Sequence, residues 1–215
     1  MFLDLIDKLL IREKDFDCLG WGNLMDVLTV TAVSQALSTK WLGQQCQVLA
    51  EVDSTNDLLK ASLQQPANLP PTGFVLLADY QRQGRGRLAR RWEAPPGSSL
   101  LLSMLFRPHW PSSRANWLTM LVSLAAAEAI AQQTGLEVGL KWPNDIMVRH
   151  NGDWHKVSGI LQEGDFGSDG RLHWVIVGIG INVNISAAQL PEATPPAPSL
   201  LVASDQFAPR LTLLA

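Results

Sequence analysis

Residues 155–184, HKVSGILQEGDFGSDGRLHWVIVGIGINVN, are the stretch on which the fold turns. Two apolar runs, 155–163 and 172–183, flank a turn at Asp169-Gly170, the pattern of an antiparallel pair. The second run is the most apolar strand of the chain, yet Gly178 and Gly180 interrupt it, and Asn182 and Asn184 put amides where core residues belong. Gly159 interrupts the first run in the same way. Glycine inside a strand marks the close approach of a ligand or another backbone, and buried amides need partners. The same residues also read as a strand packed beneath a crossing backbone, with its asparagines closing a turn.

Working outward, strands are expected at 137–141 and 146–149, with an Asn151-Gly152 turn leading into 155–163. A helix over 114–133 is capped by Ser112 or Ser113 and stopped by Gly135. Upstream lie strands at 100–106 and 73–79, and a helix with Ser54 as its N-cap that runs to about Gln65. Another strand starts at Cys46, with a weaker helical pattern over 26–37 before it. Helices separate the early strands and hairpins dominate later. This order predicts an α+β fold, a mixed and mostly antiparallel sheet with helices packed on one face. Residues 2–14 show the spacing of an amphipathic helix through Phe2, Leu5, Ile6, Leu9 and Leu10. Residues 1–46 therefore separate off as a helical appendage from a main domain over 47–215. Four prolines within 191–198 stop any continuation of sheet or helix there.

Composition bounds the function. Of 215 residues, 47% are hydrophobic and 17% charged, enough apolar material for a core and too little charge for a disordered chain. The longest apolar stretches, 121–131 and 174–181, fall short of the roughly 18 to 20 residues a bilayer requires. No membrane span is expected, and the first residues lack the features of a secretory signal, so the cytoplasm is the expected compartment. Cys18 and Cys46 have no metal-ligand spacing and read as reduced thiols. Neither His109, His150, His155 nor His173 has such spacing, and no nucleophile elbow or phosphate loop is present. A net charge of −3 argues against nucleic acid held by the overall field.

The cations are concentrated. Of eleven arginines, five fall within ten residues: Arg82, Arg85, Arg87, Arg90 and Arg91. The segment Gly84–Trp92, GRGRLARRW, has no periodicity; its glycines let backbone amides approach a ligand while guanidinium forks match phosphate or carboxylate oxygens. Taken alone it is also a solvated basic loop. Lys141-Trp142-Pro143-Asn144-Asp145 stands at a strand end, where open sheets present ligands, and offers a cation, an amide and a carboxylate for phosphate, hydroxyl or metal. A surface turn with an ion pair is the other reading. Lys156 has Gly159 beside it in KVSGIL. Ser54, Thr55 and Asn56 stand where a strand passes into a helix N-terminus, which accepts anions or polar heterocycles.

Together, EVDSTN, DYQRQGRGRLARRW, LKWPNDIMV, KVSGIL and GIGINVN, in this order, closely resemble the catalytic domain of biotin protein ligases, over about residues 47 to 185. The resemblance implies a class II synthetase-like biotin/lipoate ligase domain. It implies that biotin and ATP form biotinyl-5′-adenylate and pyrophosphate, and that biotin then passes to a lysine of a biotin carboxyl-carrier protein or domain. It assigns Ser54, Thr55, Asn56, Gln81, Gly84, Arg85, Gly86, Arg87, Lys156 and Gly159 to biotin. Arg87, Arg90, Trp92, Lys141, Asn144, Asp145 and Asn182 go to ATP, with Asp145 also serving Mg2+ and Trp92 near the adenine. Lys141 and Arg87 are the expected catalytic residues, stabilising charge on the α-phosphate, and Arg91 is an alternative to Arg90 at the outer phosphates. The loop 84–92 is expected to order only with ligand.

Many relatives carry an N-terminal winged helix that represses genes, and most carry a β-barrel after the catalytic domain. Residues 1–46 lack a basic recognition helix, so no nucleic-acid partner is expected, and an end at Ala215 leaves no room for a full barrel. The loop places Leu88 and Ala89 where relatives often have a small or basic residue and glycine. A monomer or homodimer is expected. A lipoate or octanoate transferase of related fold, or a non-catalytic biotin-binding regulator, are the competing functions.

Overall fold

The computed structural model describes residues 26–168, 170–192 and 197–215. In chain order they form α1 (Val30–Ala36), β1 (Cys46–Leu49), α2 (Thr55–Ser62), β2 (Val75–Ala78), β3 (Ser99–Phe106), α3 (Asn116–Thr134), β4 (Val138–Lys141), β5 (Asp145–His150), β6 (Asp153–Phe166), β7 (Leu172–Asn182), α4 (Leu200–Ser204) and α5 (Arg210–Leu214). The expected helix over 2–14, Cys18 and the Asp169 half of its turn lie outside the described residues. All seven strands join in one sheet ordered β1-β2-β3-β7-β6-β5-β4. Within it β1 and β2 run parallel and every other pair antiparallel. The mixed, mostly antiparallel sheet is the one the sequence predicts.

Strand alternation sorts the side chains onto two faces. Val75 and Leu77 of β2, Leu100, Leu102 and Met104 of β3, and Val175, Val177, Ile179 and Ile181 of β7 all enter the main core. There they meet Val33 of α1, Leu118, Val122 and Ile130 of α3, Leu200 of α4 and Leu213 of α5. This is the expected helix layer. One helix departs from it: Leu59 of α2 packs with Leu76, Leu105 and Ile176 in a smaller cluster on the opposite face. Leu59 is 1% exposed, a burial that contributes about 1.5–3 kcal/mol.

Local signals are mostly obeyed. The Ser54 hydroxyl accepts from the Asp57 amide at 3.3 Å and caps α2. Gly135 ends α3 in the left-handed region, and Asn151 and Gly152 both take the positive φ of a tight hairpin turn. Ser112 departs from expectation, starting a short 3-10 turn over Ser112–Arg114, while α3 begins without a side-chain cap. The described part of the expected appendage does not stand apart, because Leu28, Val33 and Leu42 are buried in the same core as the sheet.

Arg210 of α5 is 2% exposed. Its Nε donates to the Asp26 carboxylate at 2.9 Å and its Nη1 to Asp79 at 2.7 Å. The backbone amide of Arg210 donates to Asp26 as well, at 2.7 Å. One buried cation thus joins the segment entering α1, the end of β2 and the C-terminal helix. Among the described residues no helix is long and apolar enough to cross a membrane.

Candidate functional site

On the α2 face, β7 continues past Ile176 with Gly178 and Gly180, and Gly159 of β6 lies directly opposite Gly180. These glycines leave the middle of the sheet bare, and other residues lie against its backbone. The Asn56 amide occupies the space a Cβ on Gly178 would need. A Cβ on Gly180 would stand 2.6 Å from Trp92 Cε2, and one on Gly159 would stand 3.1 Å from Lys156 Nζ and 3.3 Å from Trp92 Cζ3. Above this floor is a cavity of about 330 Å³.

One wall is neutral. Gln81 Oε1 accepts from the Thr55 amide at 2.7 Å and from its hydroxyl at 3.0 Å. The Ser103 hydroxyl donates to Asn56 Oδ1 at 2.6 Å and lies 2.8 Å from Thr55 Oγ1. Asn56 Nδ2 in turn donates to Glu163 at 3.0 Å. Ser54, Thr55, Asn56 and Ser103 are all buried. Their polar groups satisfy one another, so the wall is fixed before any ligand arrives.

The other wall is cationic. Residues 84–92 close on themselves: the Gly86 amide donates to the Arg90 carbonyl at 2.8 Å and the Trp92 amide to the Gly84 carbonyl at 2.9 Å. Gly84 is required here, since a Cβ would meet the Trp92 carbonyl at 2.5 Å. The tip is formed by Leu88 and Ala89 at φ 55° and 59°. Left-handed backbone costs an L-residue about 1–2 kcal/mol, so this tip stores strain that glycine would relieve.

Arg87 Nη1 donates to Asn144 Oδ1 at 2.9 Å, and Asn144 Nδ2 to the Ile160 carbonyl at 3.0 Å. Lys156 Nζ lies 2.7 Å from Asp145 Oδ1. Arg85 Nη2 lies 2.6 Å from both Asp57 and Glu163. Burial would raise the Glu163 carboxyl, but the hydrogen bond from Asn56 and the Arg85 charge outweigh it and hold the group below the ordinary carboxylate range.

The cavity lining brings together Ser54, Thr55, Asn56, Gln81, Arg85, Gly86, Arg87, Arg90, Trp92, Asn144, Asp145, Lys156 and Gly159, drawn from four separate sequence segments. Three expected residues do not line it. Lys141 is exposed at the end of β4. Gly84 is buried beneath Trp92, and Asn182 is buried opposite Ser99 with its Oδ1 unpartnered. Asp145 is the one carboxylate in the lining and is paired with Lys156. Among the described residues no cluster of three or more acidic, histidine or cysteine side chains could hold a metal ion. A cation here would need phosphate oxygens for most of its ligands.

Sequence reasoning missed Ser103 and Glu163. Ser103 is a small polar residue inside the apolar run of β3, and Glu163 follows Gly159 at even spacing on β6 and therefore shares its face. Both signals were present in the period-two pattern. Trp142, 84% exposed at the cavity rim, was noted only as part of its motif.

The family model for the biotin/lipoate A/B protein ligase family matches residues 48–182. The bifunctional ligase/repressor BirA of Bacillus spizizenii is 34% identical over 165 residues, which is 77% of this chain and 48% of that protein. The biotin-[acetyl-CoA-carboxylase] ligase of Mycobacterium tuberculosis is 35% identical over 156 residues, 70% of this chain and 54% of its own length. The chain thus spans about half the length of the curated relatives it matches. Among solved structures, the biotin protein ligase of Aquifex aeolicus in complex with biotin and ATP superposes with a TM-score of 0.61 at 31% identity, covering 80% of this chain and 67% of that one. With a family match over the strands and loops that build the cavity, and relatives above 30% identity, the chain belongs to the biotin/lipoate A/B protein ligase family.

Proposed function

We propose that the chain is the catalytic domain of an ATP-dependent biotin protein ligase. It forms biotinyl-5′-adenylate and transfers the biotinyl group to a lysine of the carboxyl-carrier domain of a biotin-dependent carboxylase. The observation that carries this is the division of one cavity into a neutral hydrogen-bonding wall and a cationic wall. Such a cavity suits a ligand with a neutral polar ring at one end and a carboxylate at the other, condensed with a polyphosphate.

In the first half-reaction a carboxylate oxygen of biotin attacks the α-phosphorus of ATP, the bond to the β-phosphate's bridging oxygen breaks, and pyrophosphate leaves. Both reactants are anions, so preorganised cations must offset their repulsion and hold them in line. Thr55, Asn56 and Gln81 would take the ureido ring. Lys156, steadied by Asp145, would stand beside the carboxylate, and Arg87, steadied by Asn144, would bridge to the α-phosphate. Arg90 would reach the outer phosphates and Trp92 would stack near the adenine, with Asn144 and Asn182 serving the nucleotide. Lys141 would have to swing in from the end of β4. Magnesium would come with the triphosphate, with Asp145 the lining carboxylate available to it.

In the second half-reaction the carrier lysine amine attacks the acyl carbon, loses a proton, and AMP leaves. Closure of residues 84–92 over the mixed anhydride would exclude water. A cytoplasmic location and a monomeric or homodimeric state belong to the same proposal.

The test is biotin-dependent exchange of labelled pyrophosphate into ATP by the 215-residue chain. Exchange with biotin and subsequent labelling of a carrier domain support the proposal. Exchange with lipoate or octanoate but not biotin would sink it in favour of the related transferase chemistry.

A further inference from the structure

We propose that Glu163 and Asp57 form a clamp that positions Arg85 for the anionic end of the ligand. Neither carboxylate lines the cavity, whereas Arg85 does. Both grip the same nitrogen, Nη2, at 2.6 Å, while Nε and Nη1 of Arg85 have no partner among the described residues. The guanidinium is thus held by one corner, and its remaining donors are left for an incoming carboxylate or phosphate. Lys60, 3.5 Å from Glu163, brings the group to two cations and two anions, so the clamp does not leave the wall negative.

Glu163 does more than hold the arginine. Its Oε2 also accepts the Asn56 amide at 3.0 Å, and Asn56 accepts from Ser103. The same carboxylate therefore joins the neutral wall to the cationic wall and sets the spacing between them. Its side chain is 19% exposed, against 50% for Asp57, so most of the positioning falls on Glu163. A flexible arginine in an open loop would otherwise have to be ordered by the ligand, at the expense of affinity.

This inference deepens the ligase proposal and rests on it for the identity of the anion. Its test compares wild type, Glu163→Gln and Asp57→Asn by tryptic cleavage after Arg85, normalised to cleavage after Arg149, and by biotin KM and kcat in pyrophosphate exchange. Glu163→Gln keeps the size and one acceptor but removes the charge. Cleavage after Arg85 is expected to rise about three- to tenfold, because cleavage follows the population of the released side chain. The biotin KM is expected to rise about tenfold with kcat little changed, the scale of one charge-assisted hydrogen bond. Asp57→Asn, at an exposed helix position, should move both quantities the same way by less. Unchanged cleavage after Arg85 would overturn the clamp. So would tighter biotin binding in Glu163→Gln, which would make the carboxylates competitors of the ligand. Absence of exchange in the wild type would discard the ligase proposal alone, since the cleavage comparison still decides the clamp.

Discussion

Trp92 rests on Gly180: a Cβ there would stand 2.6 Å from the indole Cε2 and 2.9 Å from Cζ2. A rigid bicycle seated on β7 cannot yield to a methyl group as a flexible chain end would. Gly180→Ala is therefore expected to lower stability by about 1–3 kcal/mol through overpacking, read as a lower urea midpoint. An unchanged midpoint would show that Trp92 moves without cost.

The family resemblance gives the charge at the α-phosphate to Lys141 and places Lys156 with biotin, and their positions differ. Lys156 lines the cavity and is held 2.7 Å from Asp145, whereas Lys141 is exposed at the end of β4. Lys156→Ala is expected to cut pyrophosphate exchange by about 10²- to 10³-fold, the usual loss of one preorganised donor. Lys141→Ala is expected to cost much less, and the reverse order in exchange rates would return the role to Lys141.

Among the described residues no cation other than Arg210 of α5 pairs with Asp26 or Asp79. Removing it leaves the carboxylates of Asp26 and Asp79 without their shared partner. Arg210→Ala is expected to destabilise the chain by about 3–5 kcal/mol, measurable by denaturant unfolding. A loss within the range of ordinary surface substitutions would mean that water replaces the guanidinium.

Acid acts on the clamp in a defined direction. The folded Glu163 carboxyl is held below its ordinary range. It therefore contributes stability that is fully present above the unfolded pKa of about 4.3 and is lost as pH falls through the lower folded value. Unfolding measured between neutral and acid pH should show this loss in wild type, and Glu163→Gln should lack that part of it. Parallel curves for the two proteins would contradict the assignment.

Ligand should protect the arginine loop. Residues 84–92 carry four tryptic sites at Arg85, Arg87, Arg90 and Arg91, and Leu88 at the tip is 85% exposed. Cleavage there is expected to slow in the presence of biotin and ATP. Equal rates with and without them would show that the loop does not close.

The central hairpin was readable because its signals are local: turn residues at both ends, alternation between them, and glycines where side chains were due. The same holds for Ser54 as a cap and for Gly135 as a stop. The cavity lining was largely readable too, since Arg85, Arg87, Lys156 and Asn144 stand in motifs that residue type alone picks out. Helices α4 and α5 were not readable, because five residues each are too few to show a period. Glu163 and Asp26 escaped for a different reason. Alternation places Glu163 on the Gly159 face, but its partner, like that of Asp26, lies far along the chain, and no pattern of neighbours reveals a charge pair 78 or 184 residues apart.

That last separation bears on how the protein is made. Asp26 and Asp79 leave the ribosome early, while Arg210 follows Asp26 by 184 residues. At usual rates of synthesis the delay is about 10–40 s. Throughout it the Asp26 and Asp79 carboxylates lack the guanidinium they share in the finished fold. Docking of α5 therefore follows formation of the strands, and a chain interrupted before Arg210 leaves the segment entering α1 and the end of β2 without the guanidinium that pairs both.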